Sequence, residues 1–291
     1  DLAGADAPHD ARSRGMTPTA DPQLEALIEY IKTNRGFDFT GYKRPSLARR
    51  TQKRMQSLGV ETYDEYLDYL EGNPEEFVEL FDAILINVTS FFRDKEAWDY
   101  LSEHVVPQLI AQKEPDSPIR IWCAGSASGE EAYSIAMVLT EQLDPKRFRE
   151  EVKVYATDLD EDALNRGRRA SFSAKEVEAV PEGLRERYFE VDQGSFIFRK
   201  DLRRSIIFGH HDLVQDAPIS RIDLLICRNT LMYFNAETQA RVVGRFDFAL
   251  KDAGFLFLGK SEMLHTRSNF FTPVELKHRI FTRAPRLSVH R

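Results

Sequence analysis

The stretch IRIWCAGSASGEE, residues 119–131, decides the fold. Ile119–Cys123 is a short apolar run of strand type, and small residues fill Ala124–Gly129. Glu130 and Glu131 then open a segment whose apolar spacing runs helically through Ile135 and Leu139. A strand that turns through a small-residue loop into a helix is the first unit of a parallel α/β sheet. Small residues let a ligand approach the backbone closely, and the carboxyl ends of the strands in such a sheet are where ligands bind. The spacing is G-x-x-x-G, not the dinucleotide pattern G-x-G-x-x-G. Two carboxylates directly after the loop repel a pyrophosphate at the helix N-terminus and suit a cationic ligand. They are equally readable as acids favouring the helix dipole behind a tight turn.

Toward the C-terminus, Val152–Thr157 reads as a second strand ending in Asp158. Ile206–Gly209, Ile222–Cys227 and Phe255–Gly259 follow, with a helix between the last two. Residues 188–205 break this alternation. A turn at Gln193-Gly194 between two apolar runs predicts a small β insertion. Asp158 is placed to accept both hydroxyls of a ribose, although either Asp158 or Asp160 could instead cap the next helix. Taken together, the loop and the acid point to a nucleoside cofactor that is cationic and not a dinucleotide. S-adenosylmethionine, with its sulfonium and ammonium groups, fits that description.

Toward the N-terminus the pattern is helical. Asp21 caps and Pro22 opens a helix with Leu24, Leu27, Ile28 and Ile31 on one face, and Gly36 lies past its end. A second helix starts near Ser46, after Pro45. A third opens at Thr62 with Glu65 completing a capping box and ends at Gly72. A fourth follows Asn73-Pro74, and a long one after Asp94 carries Trp98, Leu101, Val105 and Leu109. Residues 1–20 have no apolar period and read as a disordered tail or an appended remnant. Met16 is a candidate start, and the chain is consistent with a fragment of something longer. The expected division is the tail 1–20, a helical domain 21–92, and an α/β domain 93–291 with its insertion at about 188–205.

Several ordered motifs carry a family resemblance. NVTSFFRD (87–94), IWCAGSASGEEAYS (121–134), YATDLD (155–160), CRNTLMYF (227–234) and GKSE (259–262) resemble, in order, the signatures of the CheR chemotaxis receptor methyltransferases. The match runs from about residue 22 to 283. The resemblance implies a class I S-adenosylmethionine-dependent methyltransferase sheet of Rossmann-like α/β type, with an N-terminal helical domain and a small inserted β subdomain. It implies that Asn87, Thr89, Arg93, Glu131, Asp158, Asp212, Leu213, Cys227 and Arg228 line the cofactor, and that Arg93 and Tyr233 are catalytic. Ala132 stands where the family usually has Pro, and Asp212 where it often has Asn. The implied reaction is methyl transfer to glutamate side chains of receptor helices, leaving S-adenosylhomocysteine.

Lys43, Arg44, Arg49, Arg50, Lys53 and Arg54 form a basic run. On a helix, Arg49/Lys53 and Arg50/Arg54 stack at i,i+4. They read either as a solvated face or as a dock for the acidic helices of a receptor. The inserted β segment is shorter than in family members that hold a receptor C-terminal pentapeptide, so no such tether is expected. A net charge of −7 argues against a general nucleic-acid binder. No apolar run approaches the ~20 residues of a membrane span, and no secretory signal is visible, so a cytoplasmic location is expected. The two cysteines, Cys123 and Cys227, lie in apolar runs and read as buried free thiols rather than a disulfide. His210-His211-Asp212 has no second ligand cluster to make a metal site. A methyltransferase for another acidic protein or a small acid, and a non-catalytic cofactor-binding sensor or scaffold, are the rival readings. An oxidoreductase is disfavoured by the missing nicotinamide fingerprint.

Overall fold

The computed structural model describes residues 21–285 apart from 86, 263 and 265–269; the tail expected over 1–20 lies outside the described residues. Helix α1 (Pro22–Arg35) is capped by the Asp21 carboxylate, which accepts from the Gln23 amide at 3.0 Å, and it ends on a left-handed Gly36. Helix α2 (Arg44–Leu58) starts two residues before the expected Ser46. Pro45 falls in its first turn, where a missing N–H costs nothing. Helix α3 (Tyr63–Gly72) carries the full Thr62/Glu65 capping box, and α4 (Glu76–Ile84) completes the group. Leu27, Ile31, Tyr66, Leu70 and Leu80 form its core.

The basic run on α2 does not form one face. Arg49 and Lys53 are exposed. Arg50 is 9% exposed; its guanidinium donates to the Ile84 carbonyl at the end of α4 and lies 4.7 Å from the Tyr233 ring centre. Arg54 grips both oxygens of buried Glu76 at 2.7 and 2.6 Å, and the Tyr66 hydroxyl donates to the same carboxylate at 2.7 Å. The docking role expected for Arg50 and Arg54 therefore gives way to a structural one. The α2–α4 contact needs cations there: one to satisfy carbonyls at a helix end, one to neutralise a buried acid.

After Asp94, the expected long helix is α5 (Lys95–Tyr100), a π turn over Leu101–Val105, and α6 (Val106–Ala111). Pro107 explains the widening, because its ring crowds the carbonyl four residues back and it has no N–H to give. The Val106 amide reaches back to Leu101 instead.

The α/β part follows as β1 (Ile119–Ala124), α7 (Glu130–Leu143), α8 (Pro145–Glu151), β2 (Val152–Asp158) and α9 (Glu161–Arg169). Next come β3 (Ser171–Phe172), α10 (Glu182–Tyr188), β4 (Phe189–Asp192), β5 (Ser195–Phe198), α11 (Lys200–Arg203) and β6 (Ile206–His210). The chain closes with β7 (Ile222–Cys227), a 3-10 turn over Leu231–Tyr233, α12 (Ala236–Ala249), β8 (Leu250–Leu258), β9 (Phe271–Glu275) and β10 (Ile280–Arg283). The main sheet has seven strands in the order β6-β2-β1-β7-β8-β10-β9. The first five are parallel, and β10 runs antiparallel to both its neighbours. Strand direction alternates side chains between two cores: Ile121 and Cys123 on one face, Trp122 and Ala124 on the other. The two cysteines lie in different cores, both free.

The inserted sheet is larger than expected. Its order is β3-β5-β4, so it already begins at Ser171. Gln193 and Gly194 both have positive φ (46° and 82°), the conformation of a tight hairpin turn. The strand order of the main sheet reverses between β1 and β7, which opens a crevice at their carboxyl ends. The helical unit closes that crevice through backbone pairing. The Lys43 amide donates to Tyr233 O and the Asn235 amide to Gly41 O, each at 2.9 Å, with Tyr42 edge-on to Phe234 at 4.9 Å. Among the described residues, no helix is long and apolar enough to cross a membrane.

Candidate active site

Gly125 leaves β1 with φ +74°, and the amides of Gly125 and Ser126 donate to Thr157 O at 2.8 and 2.9 Å. A Cβ on Gly125 would stand 2.4 Å from the Thr230 hydroxyl, so both conformation and space exclude any other residue. The loop is thereby held against β2 and against the loop after β7.

The choice between Asp158 and Asp160 is resolved by their partners. Asp160 caps α9, accepting from the amides of Asp162 and Ala163 at 2.8 and 3.1 Å. Asp158 accepts one amide on each oxygen, Asp160 at 3.0 Å and Ala127 at 2.8 Å, and lines the crevice. Burial pushes its carboxyl up, against the pull of those two amides. The carboxylate is fixed in orientation with acceptor capacity left over.

The paired glutamates also separate. Glu130 turns inward, where the Ser128 hydroxyl donates to it at 2.8 Å. Glu131 lines the crevice. Burial raises its carboxyl to about 7, although the Arg228 guanidinium 3.9 Å away works to lower it. Arg228 is itself committed: it donates to Arg93 O at 2.8 Å and to the Asp94 carboxylate at 2.6 Å, and its guanidinium lies over the Phe257 ring. It holds a turn in which Phe92 and Asp94 both adopt left-handed backbone (φ 48° and 61°). Such residues cost of order 1–3 kcal/mol each and persist where surroundings enforce them. The turn presents Arg93 to the crevice, with one nitrogen donating to Val88 O at 3.2 Å.

Asn87, Thr89, Arg93, Glu131, Asp158, Asp212, Leu213, Arg228 and Tyr233 thus line one cavity. Cys227 does not line it; it ends β7 inside the core with Trp122 and Leu225, because strand alternation turns its side chain into the sheet face. The Asn87 side chain is hydrogen-bonded to Asp160, bridging the inter-domain linker to α9. Asp212 folds back on its own turn, accepting from the Val214 amide at 2.7 Å.

Sequence reasoning missed the helical-domain wall: Tyr42, Ile84 and Leu85. Burial, then the charges of Asp212 and Asp158, push the Tyr42 hydroxyl well above its ordinary range, so it stays a neutral donor. Nothing in a loop residue marks it for this; only its backbone bridge to Phe234 does. Glu262, in the late GKSE turn, was likewise given no role. It is 2% exposed and accepts from the amides of Thr230, Leu231 and Gly259, each at 2.7 Å. It fixes the loop that carries Arg228 and Tyr233.

A parallel sheet with a strand-order reversal, a small-residue loop and two partly buried carboxylates in one crevice define a nucleoside-cofactor α/β domain. The acceptor set fits a ligand bringing hydroxyls and positive charge together. Two family models match: "CheR methyltransferase, all-alpha domain" over residues 22–85 and "CheR methyltransferase, SAM binding domain" over 87–280. The chain belongs to the CheR methyltransferase family and has its class I fold and S-adenosylmethionine-binding domain. It is 31% identical over 255 residues to a chemotaxis protein methyltransferase of Borreliella burgdorferi (85% of this chain, 90% of that one). It is 30% identical over 264 residues to one of Listeria monocytogenes (88% and 98%). A 104.1 kDa protein of Rhodobacter capsulatus is 34% identical over 258 residues, covering 89% of this chain; the chain spans only 27% of that protein's length.

Replacing Glu262 by Ala leaves three buried amides unpaired. Denaturant unfolding should show a loss of about 3 kcal/mol or more. Glu262→Gln should fall between, because its amide nitrogen can accept from none of them.

Proposed function

We propose that this chain transfers the methyl group of S-adenosylmethionine to glutamate side chains on the cytoplasmic helices of chemoreceptors. The carrying observation is that Arg93 and Tyr233 share one cavity with Glu131 and Asp158, walled on one side by the helical domain. S-adenosylmethionine supplies an electrophilic methyl group on a sulfonium. A substrate glutamate, with a reference pKa of about 4.3, is already ionised at neutral pH and needs no general base. The protein's task is alignment and exclusion of water.

In this reading Asp158 takes the ribose hydroxyls and Glu131 the ammonium of the methionine moiety. Asn87, Thr89, Asp212 and Leu213 complete the cofactor wall, and Arg228 holds the turn behind it. Arg93 orients the reacting carboxylate, and Tyr233, held between the Arg50 guanidinium and the cavity, shapes the transfer site. Arg49 and Lys53 remain as the exposed cations of α2 for an acidic helix. No tether on the inserted sheet is invoked. The test is transfer of radiolabelled methyl to a receptor cytoplasmic fragment. Protein-bound label released by mild base as methanol is expected; base-stable label, or label only on small acids, would overturn the assignment, and absent turnover would favour a sensor or scaffold.

Asp158→Ala removes an acceptor of about 1.5–3 kcal/mol. Calorimetric titration with S-adenosylhomocysteine should therefore show affinity weakened by roughly ten- to a hundredfold.

Glu131 gives binding a pH dependence. Its carboxyl titrates at about 7, and only the ionised form attracts an ammonium. S-adenosylhomocysteine affinity should fall on acidification below about pH 8, approaching about tenfold per unit below 7, and fall again at alkaline pH where the ligand's own amine loses its charge. Glu131→Gln should bind weakly with the acid-side dependence removed.

A further inference from the structure

The chain carries seven more acidic than basic residues, yet two arginine-rich runs, RGRR (166–169) and RKDLRR (199–204), meet on one face. The Arg203 guanidinium donates to Arg169 O at 3.0 Å and joins the end of α9 to α11. Between them lies a groove at the edge of the main sheet, walled by Arg168, Lys200, Arg203 and Arg204 and floored by Ile206 and Phe208. Two nearby acids are already engaged: Glu161 pairs with Arg168, and Asp201 pairs with Arg149 and Arg199. Among the described residues, no ion pair involves Arg169, Lys200, Arg203 or Arg204. A cluster of like charges raises the folded state's energy, and a bound anion would relieve it.

We infer that this groove docks an acidic segment of the protein substrate and guides it toward the cavity; the inference rests on the reading of the chain as a protein methyltransferase. Two features select a peptide segment. First, the Arg168 guanidinium donates to the Phe208 carbonyl at 3.2 Å, which blocks that part of the β6 edge. Recognition must then run through side chains: carboxylates to the cationic walls, an apolar residue to the Ile206/Phe208 floor. Second, the groove is continuous with the site. Arg168 also lines a neighbouring depression with Arg166, Arg169, Leu85 and Asn87; Asp82, Asp160 and Asp162 line it too, so the path beyond the groove is of mixed charge and the attraction for an acidic segment lies in the groove itself. Leu85 and Asn87 in turn wall the cofactor cavity. A chain seated along this path would bring one of its carboxylates to the cavity mouth, where Val88 stands 73% exposed.

Lys200 and Arg204 are exposed and outside the cofactor cavity, so Lys200→Glu/Arg204→Glu tests the groove without touching the machinery. Binding of a fluorescent receptor cytoplasmic fragment to the full chain loaded with S-adenosylhomocysteine would be followed by anisotropy at low and high salt. The double reversal should weaken fragment binding at least about tenfold at low ionic strength and flatten its salt dependence. Cofactor affinity and melting temperature should stay unchanged, and Lys200→Ala/Arg204→Ala should fall between. Unchanged fragment binding would overturn the inference. So would a loss confined to phosphatidylglycerol vesicles or a single-stranded oligonucleotide while the fragment still bound. Binding needs no turnover, which separates the two readings. A fragment that docks through the groove but gains no label defeats the reaction and not the surface. A fragment labelled with unchanged KM by the reversed variant defeats the surface and not the reaction.

Discussion

Arg228 crosses from the end of β7 to the turn before α5, and the active crevice depends on that crossing. Its guanidinium is almost wholly buried and shared among a backbone carbonyl, the Asp94 carboxylate, the face of Phe257 and, at longer range, Glu131. A buried arginine is tolerated where its charge is answered and most of its donors are met, and of the Arg228 guanidinium only Nε is left without a hydrogen-bond partner. Here the answering groups are the turn that presents Arg93 and the acid that faces the cavity. The strained backbone of Phe92 and Asp94 is thereby enforced from the opposite side of the crevice. Glu262 completes the arrangement from below, since its three amide bonds keep the loop that begins with Arg228 from relaxing.

The helical unit contributes closure. Its contact with the α/β domain is built from two backbone hydrogen bonds and an aromatic pair, around which Arg50 reaches from α2 to the Tyr233 ring. Tyr233 is therefore positioned by both domains at once. Tyr42, Ile84 and Leu85 wall the same cavity as Asp158 and Glu131, whose carboxyl pKa values are raised by burial.

Much of this was legible because it is local. Caps at Asp21 and Thr62, the strand-loop-helix at Ile119–Glu131 and the hairpin at Gln193-Gly194 are each decided within a few residues. What was not legible depends on distant partners. The basic run on α2 has the same spacing whether its arginines face water or Glu76 and the Ile84 carbonyl; only the packing of α4 chooses. Asp158 and Asp160 are equivalent in sequence until Ala127 arrives to occupy one of them. Strand β9 contains Pro273 and β3 has two residues, so neither carries a strand period long enough to read. The family resemblance marked nine of the residues that line the cavity, but it marked Cys227 with the same weight as Arg228, although Cys227 packs in the core of the sheet and only Arg228 lines the cavity.

Charge distribution sets a condition on any acidic target. At −7 the molecule as a whole repels one, and at physiological salt fields fade over roughly 8 Å. Attraction must then come from cations close to the path the target takes, and those cations must not be neutralised internally. Arg50 and Arg54 fail that condition because the helical core uses them. Arg49 and Lys53 satisfy it on one side of the cavity, and the groove beside β6 satisfies it on another. An acidic helix or extended segment would be attracted only after near contact, and only in an orientation that lays it across the cavity mouth. Such short-range attraction on a repulsive background favours discrimination over affinity. That would suit the proposed transfer, in which each product segment has to be released before the next is met.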